Sequence, residues 1–267
     1  MLKKLFHIFK YIWFSLPYYF VVLLKKRKLK INTNRGDIIF YCEAMKVYFR
    51  GISLLYKEPI TVGWINTFKE KEIFWDIGAS TGLYSLYAAK KNKIKVLAFE
   101  PMLRNFINLN QNIIKNNLGE QISAFCIALT DRDISAKLYS IKQEAGLGGT
   151  NFVKDNDKKE KGQKVFSETL GFKIDTLCYD YNLSFPNHLK IDVRGDEMRT
   201  LLGAKKILSD KRLKSIIIES DNLADQIKFK NFMSKYKFYQ YSHKKIYNSY
   251  RKEIYKKDLP LKEYHFK

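Results

Sequence analysis

Cysteine and proline are scarce, with 3 and 5 residues in a chain of 267. Cys42, Cys126 and Cys178 are far apart, odd in number and form no C-x-x-C pair. That excludes a disulfide framework and a sequence-local zinc site, and fits a reducing cytoplasm. A long hydrophobic run is missing too: the uncharged stretch at residues 11–24 has 14 residues, short of the roughly 20 that span a bilayer. Acids are the third shortage. Only 27 Asp and Glu face 49 Lys and Arg, for a net charge of +22, and none of the acids falls in residues 1–30. Such a charge fits an acidic partner: nucleic acid, an anionic membrane or a phosphorylated substrate. It also fits a uniform solvated coat, because 40 of the 49 cations are lysines scattered along an Asn- and Ile-rich chain.

Apolar residues make up 46% and aromatics 15%, enough to bury the core of one sizeable α/β domain. At the N-terminus, Leu2, Leu5, Phe6, Phe9, Ile12, Trp13 and Leu16 recur every three or four residues, one stripe of a helix that Pro17 interrupts. Lys25, Lys26, Arg27, Lys28 and Lys30 follow, and no small-residue cleavage site marks a removable signal peptide. Residues 1–30 therefore read as a basic amphipathic segment that lies on an anionic membrane surface, or that docks on protein. The expected location is cytoplasmic, peripheral on the inner face of the cytoplasmic membrane. Residues 31–72 are a lead-in of two short strands at 37–50 and a helix at 61–68.

From residue 73 strand and helix signals alternate: strands at 73–78, 95–100, 122–129, 188–193 and 213–219, helices at 82–91, 102–117, 196–208 and 225–236. Alternation means crossovers and a mostly parallel sheet with helices on both faces. In the helix at 102–117, Phe106, Leu109 and Ile113 form the expected buried stripe with Asn and Lys around it. Residues 142–164, with Gly146, Gly148, Gly149 and then a charge run, are expected to be a mobile loop without regular structure, between strands at 136–141 and 164–168. The tail alternates aromatic and basic residues and predicts a closing antiparallel hairpin.

In an open parallel sheet, ligands bind beyond the carboxyl ends of the strands. Those ends carry acids here: Asp76, Glu100, Asp131, Asp192 and Glu219. After Asp76 the chain reads Gly78, Ser80, Gly82, a glycine turn into a helix, and Glu100 lies 18 residues beyond Gly82. That spacing suits an acid that accepts hydrogen bonds from ribose hydroxyls. A pyrophosphate would call for glycine at position 80 and would be repelled by Asp76, whereas the ammonium of S-adenosylmethionine would be attracted by it.

The stretches FWDIGASTGLYSLYAA, LAFEP, IALTD, LKIDVRGDE and SIIIE, in that order over residues 58–220, resemble the FkbM-type S-adenosylmethionine-dependent methyltransferases. The resemblance implies a class I methyltransferase (Rossmann-like) fold over residues 73–267, S-adenosylmethionine as cofactor, and O-methylation of a sugar hydroxyl in a glycan, lipid-linked glycan or nucleotide sugar. It assigns Asp76, Gly78, Ser80 and Gly82 to the cofactor loop, Glu100 to the ribose, Asp131 to the adenine, and Asp192 to the methionine end and the acceptor. Arg194 and Asp196 depart from the family's usual fourth-strand motif. Arg194 is then a candidate for holding an anionic acceptor. Asp192 is the first candidate for the base and Glu197 the second. No metal is expected, although Asp192 and Glu219 would suit Mg²⁺. His188 is expected on the surface, at the far end of the fourth strand. The competing readings are an RNA methyltransferase, disfavoured because the lysines are scattered, and a non-catalytic membrane-associated module of the same fold.

Overall fold

A computed structural model describes residues 28–90, 94–140, 150–153, 164–193, 195–220, 223–246 and 250–257. Residues 1–27, and so most of the basic amphipathic segment, lie outside the described residues, as do Arg194 and most of the expected loop at 142–164. The chain begins with a hairpin of β1 (Lys28–Ile31) and β2 (Ile38–Tyr41), followed by α1 (Met45–Lys57) and α2 (Pro59–Asn66). The second strand expected within 37–50 is instead the start of α1. Its buried residues, Val47, Gly51 and Leu54, repeat with helical spacing. A Cβ on Gly51 would lie 2.7 Å from the Leu29 side chain, so glycine lets this helix settle on the hairpin without displacing that leucine.

The main sheet alternates as the sequence predicts. β3 (Ile73–Ile77), α3 (Leu83–Ala89), β4 (Lys95–Phe99), α4 (Leu103–Lys115) and β5 (Ile122–Phe125) build one half. β10 (His188–Ile191), α6 (Glu197–Leu202), α7 (Lys205–Ser209), β11 (Ser215–Ser220), α8 (Leu223–Ser234), β12 (Phe238–Ile246) and β13 (Tyr250–Lys257) build the other. The strand order is β12-β13-β11-β10-β3-β4-β5, with β13 antiparallel to β11 and β12 and the other five strands, β11 to β5, parallel. Progression reverses between β3 and β10, which opens a crevice at their carboxyl ends. Both faces are covered. Phe74, Val96, Ala98 and Ile217 pack under α3 and α4, and Trp75, Leu97, Ile191 and Ile218 pack under the helices of the other face. Burial on both sides explains why these strands are near-continuous apolar runs.

Between β5 and β10 the chain makes a second sheet of β6 (Ala128–Leu129), β7 (Ile134–Ser140), β8 (Thr150–Val153) and β9 (Lys164–Phe172), in the order β6-β9-β7-β8, and then α5 (Ile174–Tyr179). The single strand read at 122–129 is thus two strands in different sheets, and β8 is a regular element inside the stretch read as irregular. β8 pairs with β7, whose Ala136 and Leu138 are buried, so pairing to an anchored strand supplies the order that a glycine-rich sequence does not signal.

The face of α4 is a further difference. Leu109 and Ile113 are buried as expected, but so are Asn105, Asn108, Asn112 and Asn116. Asn112 and Asn116 accept from the backbone N–H of Tyr41 (2.6 Å) and Ile39 (2.9 Å). Asn108 and Asn116 donate to the carbonyls of Tyr41 (3.1 Å) and Ile39 (2.6 Å). An asparagine ladder thus satisfies the edge of β2 as a neighbouring strand would.

Candidate active site

The turn from β3 into α3 is shaped by two close approaches. Gly78 has φ +80° and donates its N–H to the Phe99 carbonyl at 2.9 Å. A Cβ there would lie 1.9 Å from the Asp192 carbonyl oxygen, so β3 and β10 can meet at the crevice only with glycine at 78. Gly82 has φ +86°, and its Cβ would press on Leu109 at 2.4 Å. Ser80 lies between them at φ 53°, a conformation that non-glycine residues adopt at a cost and that clusters at functional sites. Its N–H donates to Glu100 at 2.8 Å. Its hydroxyl is buried and has no hydrogen-bond partner among the described residues.

Glu100 ends β4 and is buried. Besides Ser80 it accepts the Met102 N–H at 2.9 Å and a hydrogen bond from Asn105. Burial pushes its carboxyl up to about 7, with the hydrogen bonds from Met102, Ser80 and Asn105 working the other way. Asn112 donates to the Thr81 carbonyl at 2.8 Å, which ties the asparagine ladder, and through it the hairpin, to the turn between β3 and α3.

Asp76 and Asp192 are brought together by a residue that sequence reasoning missed. Lys190, fully enclosed in β10, donates to Asp192 Oδ2 at 2.9 Å and lies 3.8 Å from Asp76 Oδ1. Burial alone would lower its ammonium, but Asp192, Asp76, Glu219 and Glu58 hold it charged, above its ordinary range. Asp76 also accepts the Ser85 hydroxyl at 2.6 Å. The Asp192 side chain is 37% exposed, whereas those of Asp76 and Lys190 are 1% and 3% exposed, so the open end of this charged cluster is Asp192. The signal was a lysine in the middle of HLKI, a strand whose four residues are all buried.

The remaining candidates gather around the start of α6. Glu197 is buried, and both its oxygens accept the Gly195 N–H, at 2.9 and 3.0 Å. Burial, with Asp192 and Asp196 nearby, raises its carboxyl to about 7 against the pull of that N–H. Asp131 is held by Arg199 (3.2 Å) and Arg132 (3.0 Å). Its partial burial opposes ionisation, but the two guanidiniums hold the carboxyl down near 2. Arg199 also bridges to Asp196 at 3.3 Å, so Asp131 is coupled to α6. His188 lies at the opposite end of β10, as expected, but it is buried rather than on the surface. It is stacked on Phe68 at 3.8 Å and bonded to Ser215 (2.7 Å) and Glu72 (2.8 Å).

Residues 76–252 match the model of the methyltransferase FkbM domain. The chain belongs to this family. No curated protein matches it in sequence. Among solved structures it is similar to the precorrin-6y C5,15-methyltransferase of Geobacter metallireducens GS-15, at 13% identity over 75% of this chain and 87% of that one, with a TM-score of 0.47. It is also similar to M. capricolum TrmK in complex with S-adenosylhomocysteine, at 13% identity over 74% of this chain and 67% of that one, with a TM-score of 0.45. The FkbM protein is thus a methyltransferase that uses S-adenosylmethionine. The site fits that cofactor, because Gly78 and Gly82 leave the turn clear of Cβ atoms and the Ser80 hydroxyl is a buried polar group available to a ligand. Among the described residues no group of three or more His, Cys, Asp or Glu could hold a metal, and no helix is long and apolar enough to cross a membrane.

Proposed function

We propose that the enzyme is an O-methyltransferase whose acceptor is a sugar hydroxyl of a glycan, a lipid-linked glycan or a nucleotide sugar. The observation that carries this reading is the partly exposed Asp192 carboxylate at the reversal point, with Asp196 and the buried Glu197 beside it. Carboxylates there accept a hydrogen bond, and then the proton, from a neutral hydroxyl.

In this reading Asp76, Gly78, Ser80 and Gly82 hold the methionine part of the cofactor, and Glu100 accepts from the ribose hydroxyls. Asp131, fixed by Arg132 and Arg199, lines the adenine end. When bound, S-adenosylmethionine supplies an electrophilic methyl group, whose C–S bond breaks toward sulfur as the acceptor oxygen forms its bond to carbon. Asp192 orients the acceptor hydroxyl and takes its proton. Glu197, near neutrality at about 7, is the second candidate for that proton. Arg194 pairs with an anionic group on the acceptor, such as the diphosphate of a nucleotide sugar.

The test is transfer of labelled methyl to nucleotide sugars, glycan lipids and bulk RNA in parallel, with Glu100→Ala as the cofactor-binding control. Label on a sugar supports the proposal, and label on RNA alone overturns it. For the basic amphipathic start, removal of residues 1–27, which stops short of β1, is expected to abolish binding to anionic liposomes and leave cofactor affinity intact. Unchanged liposome binding refutes the membrane role.

A further inference from the structure

We propose that Lys190 is a positioning residue for methyl transfer: its enclosed ammonium keeps the Asp192 carboxylate charged and turned toward the acceptor, and ties that carboxylate to Asp76 at the end of β3. The proposal rests on the assignment of Asp192 to the acceptor made above.

The geometry is that of a brace between two strands. β10 and β3 run parallel with Lys190 opposite Asp76, so both side chains leave the sheet on the same face, beneath α3. Lys190 reaches toward the crevice and donates to Asp192, two residues further along its own strand. Every element around it presents a group that bears on its charge: Asp76 from β3, Glu219 from β11, Glu58 from the α1–α2 junction, and Tyr84 from α3, whose ring lies 5.4 Å from the ammonium. Burial, with the charges of Glu58, Glu219 and Asp192 nearby, keeps the Tyr84 hydroxyl protonated well above its ordinary range.

One enclosed cation among four carboxylates is not a packing solution that a core would adopt for stability, because well-packed apolar side chains do as well or better. It is a means of holding one open carboxylate in a single place. The side chain of Asp192 is the exposed member, so the brace fixes the group that faces the crevice. An ammonium 2.9 Å from an acid also favours its charged form, by an amount that corresponds to about one to three pH units for such pairs, against the opposing carboxyls of Glu197 and Asp196 at the start of α6. The gain is one of position: the ammonium fixes the carboxylate as a hydrogen-bond acceptor that orients the incoming hydroxyl.

The experiment follows the Asp192 carboxyl by carbon-13 NMR in protein labelled at aspartate, with Asp192→Asn to assign the signal, so it needs no acceptor. In the wild type Asp192 is expected to stay charged to lower pH than a free aspartate, which titrates at about 3.9, and in Lys190→Met its titration is expected to move up by about one pH unit or more. A wild-type Asp192 that titrates at or above the value of a free aspartate overturns the proposal without any variant, should Lys190→Met fail to fold. A folded Lys190→Met in which the Asp192 signal does not move overturns it as well. The assignment of Asp192 is tested separately: Asp192→Asn with an undiminished rate on the methylated acceptor sinks that assignment, whatever the titration shows.

Discussion

Replacing Glu100 by glutamine tests the ribose assignment through charge rather than shape. Both oxygens of this buried carboxylate are in use, one accepting from Ser80 and the other from Met102, and burial raises it to about 7. A glutamine must turn its NH2 toward one of these N–H groups, leaving a buried donor facing a donor at a cost of about 1 to 3 kcal/mol. It also loses the charge from any hydrogen bond to the ribose, worth about 1.5 to 3 kcal/mol, or roughly 10- to 150-fold in affinity. The sign of the pH dependence follows from the direction of the shift. The carboxylate is the acceptor, so wild-type affinity is complete above pH 7 and weakens as pH falls, by about tenfold per unit once the group is protonated. Titration calorimetry with 5′-methylthioadenosine isolates the effect, because that ligand keeps the ribose and adenine but lacks the titrating amine and carboxylate of the cofactor. Between pH 5.5 and 8.5 the wild type should show the slope, and Glu100→Gln should bind weakly with no slope. A glutamine variant that binds within about threefold of the wild type, or keeps its pH dependence, refutes the assignment.

Gly78→Ala should abolish cofactor binding and lower the melting temperature, because the new Cβ meets the Asp192 carbonyl at 1.9 Å and the ends of β3 and β10 must part; calorimetry and thermal unfolding read both effects. Glu72, held near 2 against an ordinary 4.5 by His188 and Lys214 in spite of its burial, should contribute about 2 to 3 kcal/mol that is present above pH 4.5 and lost as pH falls toward 2. Urea unfolding of Glu72→Gln across that window should show the acid-limb dependence reduced, and an unchanged dependence would refute this account. Asn112→Leu leaves the Tyr41 N–H and the Thr81 carbonyl without their partner, so it should cost about 2 to 4 kcal/mol and raise hydrogen exchange at Tyr41.

The central sheet is legible in the sequence because strands buried on both faces are apolar throughout and because their ends break into acids and glycines. Asp76, Glu100 and Asp192 stand out for that reason: an acid directly after an apolar run has no packing role. What is illegible depends on partners distant in sequence. Nothing local marks Asn108, Asn112 and Asn116 as buried, since asparagine on a helix ordinarily faces water. Only the unpaired edge of β2, about 70 residues earlier, makes amides useful there. His188 looks like a surface residue until Glu72 and Ser215 close around it from other strands. Lys190 escapes notice because a lysine among so many carries little information; its neighbours distinguish it.

His188 and Lys190 leave the same strand on the same face, two residues apart, and this separates a closed polar cluster from an open one. At the lower end Trp64 donates to Ser215 at 2.8 Å, and His188 is joined to Ser215 through Nδ1 and to Glu72 through Nε2. Each of these groups meets a partner within the chain, and the cluster needs no ligand. At the upper end Lys190 finds its hydrogen-bond acceptor in Asp192, which is partly exposed to the crevice where the strand order reverses. Both clusters set a nitrogen base of β10 against carboxylate, Glu72 for His188 and Asp192 with Asp76 for Lys190. Their position along the strand decides that the first is sealed in the core and the second meets whatever enters the crevice.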